Sequence, residues 1–402
     1  MRNGWRKAAV GELGQVITGT TPPTSKPEFY GGEIPFVAPG DLGKTLFVTK
    51  AERSLTEHGL ARAKPVPKGA ILFTCIGATI GKASIAGCDL ATNQQINAVV
   101  CNESKICSEF LYYMLDLHVE DIRRLAGSQA IPIVNKSTFE AVIVPVPLLP
   151  EQLKIAGILR TWDEAIEKTT ASLKARRRRF VWLRTHLFSG RVRLPGFVGE
   201  WSEGPLSEVL KEHELTSAGT EEVFSVSVHK GLINQIEHLG RSFAAQQTGH
   251  YNRVLPGDIV YTKSPTGDFP LGIIKQSKLD KEVIVSPLYG VFTPATRELG
   301  VILDAYFESP VTVRNYLRPL VQKGAKNTIA ITNKRFLEGK LTLPLDPREQ
   351  EAIAEFVETA QAEVACIAAE IKALTRQKRG LMQKLLTGEW RIKIEDCKEA
   401  AA

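Results

Sequence analysis

Amide and basic side chains concentrate in a few polar stretches of the sequence that also contain glycine or proline. In the first half these are residues 18–32, 91–97 and 127–136. In the second half they are residues 229–235, 240–253, 262–268 and 323–334. Asn and Gln can form paired hydrogen bonds with adenine in the major groove, and Lys and Arg neutralise phosphates. The chemistry that these stretches favour is therefore binding to DNA, although any one of them alone could be an ordinary solvated loop.

The candidate DNA-contacting residues share an amide, basic or phenolic side chain in one of these stretches or in the adjoining turn. They are Lys26, Tyr30, Lys82, Asn93, Gln94, Gln95, Gln129, Asn135, Lys136, Lys230, Arg241, Tyr251, Arg253, Lys263, Lys323, Lys326, Asn327 and Lys334.

No motif in the sequence supports catalysis or a metal site. The chain lacks the Asn/Asp-Pro-Pro-aromatic motif of adenine methyltransferases, a GxGxxG loop after a strand, and HExxH. Residues 77–82 resemble a phosphate-binding loop, but the stretch is one residue short and no Ser or Thr follows Lys82, so it predicts a strand–turn–strand. The six cysteines include no CxxC pair, and no histidine lies at zinc-ligand spacing. We expect no catalytic residues, no bound cofactor and no metal.

Composition favours a protein that meets an acidic partner. The formal net charge is +7 over 402 residues, which points first to nucleic acid, with ordinary surface charge as the alternative. The N-terminus has no apolar signal core, and no apolar run approaches the length of a membrane span. The cysteines resemble the reduced thiols of a cytosolic protein. The expectation is a cytoplasmic protein with no membrane role.

The elements that must position these loops occur twice in the chain. Segments beginning at Glu151 and Glu349 align without a gap as far as Gly190 and Gly388, always 198 positions apart. Each segment follows a proline pair and ends at a glycine, as expected for the start and the C-cap of a helix. A repeat of this length and separation predicts two copies of a large module, each ending in the same long helix.

Apolar residues recur along both segments in alternating steps of four and three, which is the seam of a coiled coil. In the first segment the seam is Ile155, Leu159, Trp162, Ile166, Leu173, Phe180, Leu183 and Leu187, with Thr169 and Arg176 between them. In the second it is Ile353, Val357, Val364, Ile371, Leu374, Leu381 and Leu385, with Ala360, Ile367 and Lys378 completing the pattern. Each helix would be roughly 60 Å long. We expect an intramolecular antiparallel coiled coil; the alternative is that each helix packs on its own globular domain.

The regions before the helices predict two strand-rich globular domains. Short runs rich in Val, Ile and Phe alternate with Gly and Pro turns, while residues 110–125 and 304–317 have helical patterns. Shared anchors include VPKGAILFT with LPGDIVYT, and IPIVNK with IAITNK. The predicted fold class is α/β (α+β), divided into domain 1 (1–146), helix (147–190), domain 2 (191–343), helix (344–390) and tail (391–402).

With these features the chain resembles the specificity subunit of type I restriction-modification enzymes. The resemblance covers nearly the whole length, through the domain–helix–domain–helix plan. It also rests on the strings WRKAAVGELGQVITGTTP, EFYGGEIPFVAPGDL, ILFTCIGATIGKASI, ATNQQINAVV, LFSGRVR and LLTGEWRI. The second domain departs further, with SPTGDFPLGIIK in place of IGATIGK.

The resemblance implies a non-catalytic DNA-reading subunit. Each domain would be a target recognition domain that reads one half of a bipartite, asymmetric site in double-stranded DNA, and the helices would set the spacer. Two methyltransferase subunits that use S-adenosylmethionine would dock on the helices, and restriction subunits would add translocation driven by ATP and Mg. Two other classes stay open at this point: a stand-alone nuclease or methyltransferase with unrecognised motifs, and a coiled-coil scaffold that does not bind DNA.

Overall fold

A computed structural model of the chain describes residues 4–127, 130–236, 248–323 and 329–392. The chain divides into two compact units. Unit 1 contains residues 1–172 and 368–402, and unit 2 contains residues 173–367. Each unit therefore combines one globular domain with a segment of each long helix.

The first half of the chain begins with alternating short strands and turns. Its strands are β1 (Arg6–Ala9), β2 (Gly14–Thr18), β3 (Tyr30–Val37), β4 (Phe47–Val48), β5 (Arg53–Leu55), β6 (Pro65–Val66), β7 (Ile71–Thr74), β8 (Ala83–Ala86), β9 (Leu90–Thr92), β10 (Ile96–Cys101) and β11 (Ile143–Val146). Its α-helices are α1 (Val10–Leu13), α2 (Glu57–Leu60), α3 (Ser108–Leu117), α4 (Val119–Arg124), α5 (Lys136–Glu140) and α6 (Leu149–Phe188), and a 3₁₀ turn spans Pro27–Phe29.

The second half follows the same order. Its strands are β12 (Trp201–Pro205), β13 (Leu210–Glu212), β14 (Phe224–Ser227), β15 (Gly231–Asn234), β16 (Asn252–Val254), β17 (Ile259–Tyr261), β18 (Ile274–Gln276), β19 (Val283–Val285), β20 (Gly290–Pro294), β21 (Gln322–Lys323), β22 (Ile329–Ala330) and β23 (Lys340–Pro344). Its α-helices are α7 (Arg297–Tyr306), α8 (Pro310–Leu317), α9 (Asn333–Glu338) and α10 (Pro347–Leu386), and 3₁₀ turns span Leu206–Glu208 and Arg318–Leu320.

The main sheet of unit 1 has the strand order β2-β10-β7-β8-β4. Strand β10 runs antiparallel to β2 and β7, and its Asn97 lies opposite both Thr18 and Phe73. The β7 residues are all buried, as a run of branched and aromatic residues predicts. A second sheet has the order β5-β3-β9-β6, and β1 pairs with β11. The turn between β7 and β8 is the predicted strand–turn–strand of residues 77–82.

Unit 2 repeats this plan at the level of topology. Its sheet has the order β13-β20-β17-β18, which corresponds strand for strand to β2-β10-β7-β8, and β12 pairs with β23 as β1 does with β11. The remaining paired strands differ: β14 pairs with β15, β16 with β19 and β21 with β22. The two halves thus share a scaffold and diverge in what connects it.

The two long helices pair in antiparallel fashion within each unit. In unit 1, Ile155 and Leu159 from the start of α6 lie in one core with Leu385 and Leu386 from the end of α10. In unit 2, Phe180 and Leu187 lie in one core with Ile353 and Val357. Every apolar seam residue named above is buried or half-buried, so the predicted antiparallel coiled coil is confirmed. Glycines at 190 and 388 have φ of 70° and 68°, the left-handed C-caps that the sequence predicted.

The helix ends also belong to the domain cores, which the coiled-coil prediction alone did not include. Ile155 and Leu159 share their core with Phe110 and Tyr113 of helix α3 in the globular domain. The alternative interpretation, in which each helix packs on a globular domain, therefore holds for the helix ends. None of the helices in the described ranges combines the length and apolar character that crossing a bilayer requires.

Candidate nucleic-acid interface

Four polar loops of unit 1 converge at one end of the main sheet. The Cys75 N–H donates to the Gln95 carbonyl at 2.7 Å, and the Val134 N–H donates to the Cys75 carbonyl at 2.9 Å. The loop after β2 joins them, since the Thr20 N–H donates to the Thr92 carbonyl at 3.0 Å. We call residues 19–26, 75–82, 93–95 and 130–136 loop cluster 1. The sequence placed candidates in each of these loops without a reason for them to meet, and the sheet order brings them together.

The amides of loop cluster 1 divide between holding a turn and facing outward. Asn93 accepts from the Gln95 N–H at 3.1 Å and donates to the Gln95 side-chain oxygen at 3.0 Å, which closes an Asx turn. The Gln94 side chain is exposed and accepts from the Thr21 hydroxyl at 2.5 Å. Gln94 is therefore the exposed amide of this loop and Asn93 fixes the loop, while contact of Gln94 with a base stays a prediction.

Asn135 and Lys136 lie where α5 begins. The Asn135 oxygen accepts from the Thr138 N–H at 2.8 Å, so this residue is the N-cap of α5. Lys136 is exposed and lies 3.5 Å from Glu140 in an ion pair within the same short helix. A pair this exposed contributes little and opens readily, so Lys136 can exchange its partner for a phosphate. DNA contact by both residues stays a prediction.

The Pro-rich loop after β2 is held by Tyr30. The Tyr30 hydroxyl donates to the Pro22 carbonyl at 2.6 Å, and the Arg53 guanidinium lies 4.5 Å from the Tyr30 ring centroid. Lys26 is exposed and lies 5.7 Å from the Phe29 ring centroid. Arg53 was missed by sequence reasoning because it lies outside the polar stretches; it adds an exposed cation beside the loop. Lys82 is exposed at the other edge of loop cluster 1.

In unit 2 the corresponding loops form what we call loop cluster 2: residues 212–213, 262–269 and 332–334. The Asn333 amide, 198 positions after Asn135, donates to the Glu212 carboxylate. Burial lowers the pKa of Lys263, and the nearby Glu212 carboxylate acts in the opposite direction. Lys263 and Lys334 are both exposed in this cluster. The structure thus brings these two candidates into the place that loop cluster 1 occupies in the other domain.

The remaining candidates of unit 2 lie elsewhere. Lys230 is exposed in the β14–β15 turn. Tyr251 is buried, and Arg253 is half-buried with ion pairs to Glu282 at 3.3 Å and Glu221 at 3.8 Å. Tyr251 and Arg253 therefore contribute to the packing of the domain itself, and contact of either residue with DNA stays a prediction. The candidates Gln129, Arg241, Lys326 and Asn327 lie outside the described residues. So does the side chain of Lys323.

Each long helix starts at a buried carboxylate that the sequence analysis did not single out as functional. Glu151, 1% exposed, accepts from Arg391 Nε at 2.8 Å and Nη2 at 3.0 Å, and from the Trp5 indole at 3.3 Å. We call these three residues clasp 1. Because Arg391 follows the end of α10, clasp 1 ties the start of one helix to the end of the other.

Clasp 2 repeats this arrangement in unit 2 with Glu349, Arg193 and Trp201. The Arg193 Nε and Nη2 atoms lie 2.9 and 2.7 Å from the two Glu349 oxygens, and the guanidinium lies 5.4 Å from the Trp201 ring centroid. Both the glutamates and the arginines are 198 positions apart, a signal that could have identified the pair. Bidentate contacts of this kind fix orientation as well as adding energy, so the clasps set how each domain is mounted on its helices.

The glutamine after each glutamate also has the same role twice. Gln152 donates to the Pro147 carbonyl at 2.9 Å, and Gln350 donates to the Pro344 carbonyl at 2.8 Å. Each amide thus joins the helix start to the end of the strand before it. This explains why a Glu-Gln pair recurs after the prolines at the start of both long helices.

Comparison with known proteins finds similarity to one family. Residues 2–175 match the family described as "Type I restriction modification DNA specificity domain". The chain is 33% identical over 169 residues to the type I restriction enzyme MjaIX specificity subunit of Methanocaldococcus jannaschii, covering 40% of this chain and 39% of that protein. It is 30% identical over 193 residues to the Escherichia coli EcoR124I/EcoR124II specificity subunit, covering 45% and 47%. These matches span less than half the length of those relatives.

A more distant likeness extends over the whole chain. The MjaVIII specificity subunit of Methanocaldococcus jannaschii is 22% identical over 420 aligned residues, 97% of this chain and 93% of that protein. The S subunit of a type I restriction-modification system from M. genitalium has the same fold, with a TM-score of 0.60, 16% identity and coverage of 96% and 97%. Over nearly its whole length the chain is therefore similar to specificity subunits of type I restriction-modification systems, and the specificity-domain match lies in its first 175 residues.

Proposed function

We propose that this chain is the DNA-reading subunit of a type I restriction-modification complex. Loop cluster 1 reads one half of a bipartite, asymmetric site, and loop cluster 2 reads the other half. The chain supplies sequence specificity and a scaffold but no catalysis. Two modification subunits that use S-adenosylmethionine dock on it, and restriction subunits that use ATP and Mg join them in the cytoplasm.

The observation that carries the proposal is one strand order used twice with different loops. The order β2-β10-β7-β8 recurs as β13-β20-β17-β18, and both copies gather polar loops beyond the end of the middle strands. Loop cluster 1 offers the Gln94 amide, whereas loop cluster 2 offers Lys263 and Lys334. A shared frame with different contacting groups is what two readers of different half-sites require.

The helices support a fixed spacing between the two readers. In unit 1, Asp163 of α6 contacts Lys378 of α10. In unit 2, Arg176, further along α6, contacts Glu363, which lies earlier on α10. Each contact joins the two helices in antiparallel order within its own unit. Helices held in one register have a defined length per residue, so the spacer follows from the helices.

The test is to express the chain with modification subunits of its own system in cells that lack other adenine methylation, and to map methylated adenines by sequencing. The expected result is one bipartite motif with two different halves and a constant spacer. Replacing residues 1–146 with the first domain of a relative should change only one half. A single contiguous motif, or a swap that changes both halves, would contradict the proposal.

A control separates this function from the two alternatives. The purified chain alone should transfer no methyl group from S-adenosylmethionine to DNA; transfer without partners would make it an enzyme. Its binding to DNA should weaken steeply with salt, because phosphate contacts release counterions. Absence of any DNA binding, alone or with the modification subunits, would favour a scaffold.

A further inference from the structure

A recess in unit 2 borders loop cluster 2 at Asp268 and Phe269. It has two neighbouring parts, of about 660 and 330 Å³, which share His229, Lys275, Glu308 and Gln361. The walls come from the β14–β15 turn, strand β18, the loop before it, and segments of α6 and α10. We call it the basic recess. Its size is ample for a phosphate-bearing group.

Lys275 is the residue that makes the basic recess unusual. It is 9% exposed, it lies in the buried strand β18, and it lines both parts of the recess. Within the described ranges its ammonium has no hydrogen-bond or ion-pair partner. The adjacent Lys278 contrasts with it, since its ammonium lies 3.0 Å from Asp304 and 2.8 Å from Gln361. The Lys275 side chain is nine-tenths buried, but its ammonium nitrogen is not sealed from solvent, so an anion in the recess can pair with it.

The other charges around the recess leave it positive. Its carboxylates are largely engaged: Glu308 pairs with the buried Arg184, and Asp304 pairs with Lys278. Arg177 lines the recess from α6, and His229 and Lys230 line it from the β14–β15 turn. Asp268, exposed at the loop before β18, is the remaining carboxylate among the described lining residues.

We propose that the basic recess binds a phosphate group. Arg, Lys and His that converge from three elements suit an anion with several acceptor oxygens, and the Arg fork fits two of them. His229–Lys230 and Asp268 belong to stretches that we expect to lie along DNA. The inference rests on the proposed function in that the DNA backbone is the favoured source of the phosphate. A free phosphate compound is the other source of the same chemistry.

The first experiment titrates the purified full chain with inorganic pyrophosphate in a calorimeter. Wild type should bind it saturably, and Lys275→Met should weaken binding about tenfold, as expected for one lost charge-assisted contact. Arg177→Gln should weaken it too; this residue is exposed on α6, so the variant tests the site even if Lys275→Met folds poorly. Lys281→Met is the matched control, because Lys281 pairs with Glu222 at 3.1 Å and lies outside the recess.

The second experiment identifies the source. It measures binding of the complex with its modification subunits to a duplex that carries the methylated site, as a function of salt. If the phosphate belongs to DNA, Lys275→Met should reduce the slope of log binding constant against log salt concentration by about 0.9. Pyrophosphate should then compete with the duplex. If the ligand is free, both variants should bind the duplex as wild type does while their pyrophosphate affinity falls.

The outcomes separate this inference from the proposed function. Wild type that does not bind pyrophosphate, or variants that match wild type in both experiments, would overturn the phosphate site while leaving DNA reading intact. Pyrophosphate binding that depends on Lys275, in a complex that does not bind the duplex, would support the site and contradict the proposed function.

Discussion

Lys378 and Asp163 form an ion pair inside an otherwise largely apolar helix seam, and replacing the lysine alone should destabilise unit 1. The Lys378 ammonium lies 2.5 Å from Asp163 and 5.1 Å from the Tyr113 ring centroid, and the Tyr113 hydroxyl donates to the other Asp163 oxygen at 2.7 Å. The two charged side chains are 13% and 23% exposed. Lys378→Met therefore leaves a mostly buried carboxylate without its cation.

The expected loss of unfolding free energy is about 2–3 kcal/mol. Breaking a fully buried pair costs roughly 3–5 kcal/mol, and partial solvent access to Asp163 lowers that figure. The double variant Asp163→Asn/Lys378→Met should recover to within about 1 kcal/mol of wild type, because the carboxylate that would lose its cation is removed as well. The Asn oxygen still accepts from Tyr113. Urea unfolding of the full chain, followed by circular dichroism, gives the comparison.

Arg176→Ala is the matched control on the same helix pair. Arg176 and Glu363 are 45% and 42% exposed, so this change should cost less than about 1 kcal/mol. The reasoning is refuted if Lys378→Met costs no more than Arg176→Ala. It is also refuted if the double variant loses as much as the sum of the single variants, since the cost would then come from packing and not from pairing.

Three further predictions follow from the clasps, a buried carboxylate and the helices. Arg391→Ala should lower the unfolding free energy of unit 1, and Arg193→Ala that of unit 2, by about 3 kcal/mol each, because a buried carboxylate loses its partner. Hydrogen exchange should rise only in the unit that carries the variant, and a rise in both units would contradict the prediction. Glu221 accepts N–H bonds from Ala218 and its neighbours, which lower the pKa of its carboxyl to about 2. The stability that Glu221 contributes is therefore present above pH 4.5, the ordinary pKa of a glutamate, and is lost as pH falls towards 2. Glu221→Gln should flatten the plot of unfolding free energy of unit 2 against pH between those values, and an unchanged plot would refute the assignment. Inserting four residues at matched points of α6 and α10 should lengthen the spacer by about 6 Å, about two base pairs, as read from the positions of methylated adenines; an unchanged spacer would count against the helices as its determinant.

The long helices could be predicted because their signal is periodic and occurs twice. The main-sheet strands β7, β8 and β10 were visible as apolar runs between glycine-containing turns. The second sheet, β5-β3-β9-β6, was not. Strands β5, β6 and β9 are two or three residues long, and such pieces form only because the rest of the domain supplies partners.

The candidate interface was predictable in its residue types but not in how those residues are used. Asn93 and Asn135 have the side chain that reads adenine, but the same side chain closes an Asx turn or caps a helix. The structure shows both engaged in those local contacts. The clasps were not predicted because Glu151 and Arg391 are 240 positions apart, and the signal that marks them is their recurrence 198 positions later and earlier, at Glu349 and Arg193.

The ion pair and the two clasps together explain why a change of spacer should require matched changes in both helices. In the repeat, Asp163 corresponds to Gln361 and Lys378 corresponds to Phe180. The charged pair of unit 1 is therefore replaced in unit 2 by an amide and an aromatic residue. An apolar seam alone can slide by a heptad at modest cost, whereas one polar pair specifies a single register. A seven-residue insertion in α6 alone would keep the seam in phase, but it would move Asp163 or Arg193 away from its partner on α10. A one-sided insertion before Asp163 should therefore lose about as much stability as Lys378→Met. One that follows Asp163 should lose about as much as Arg193→Ala. A matched insertion in both helices should keep both contacts.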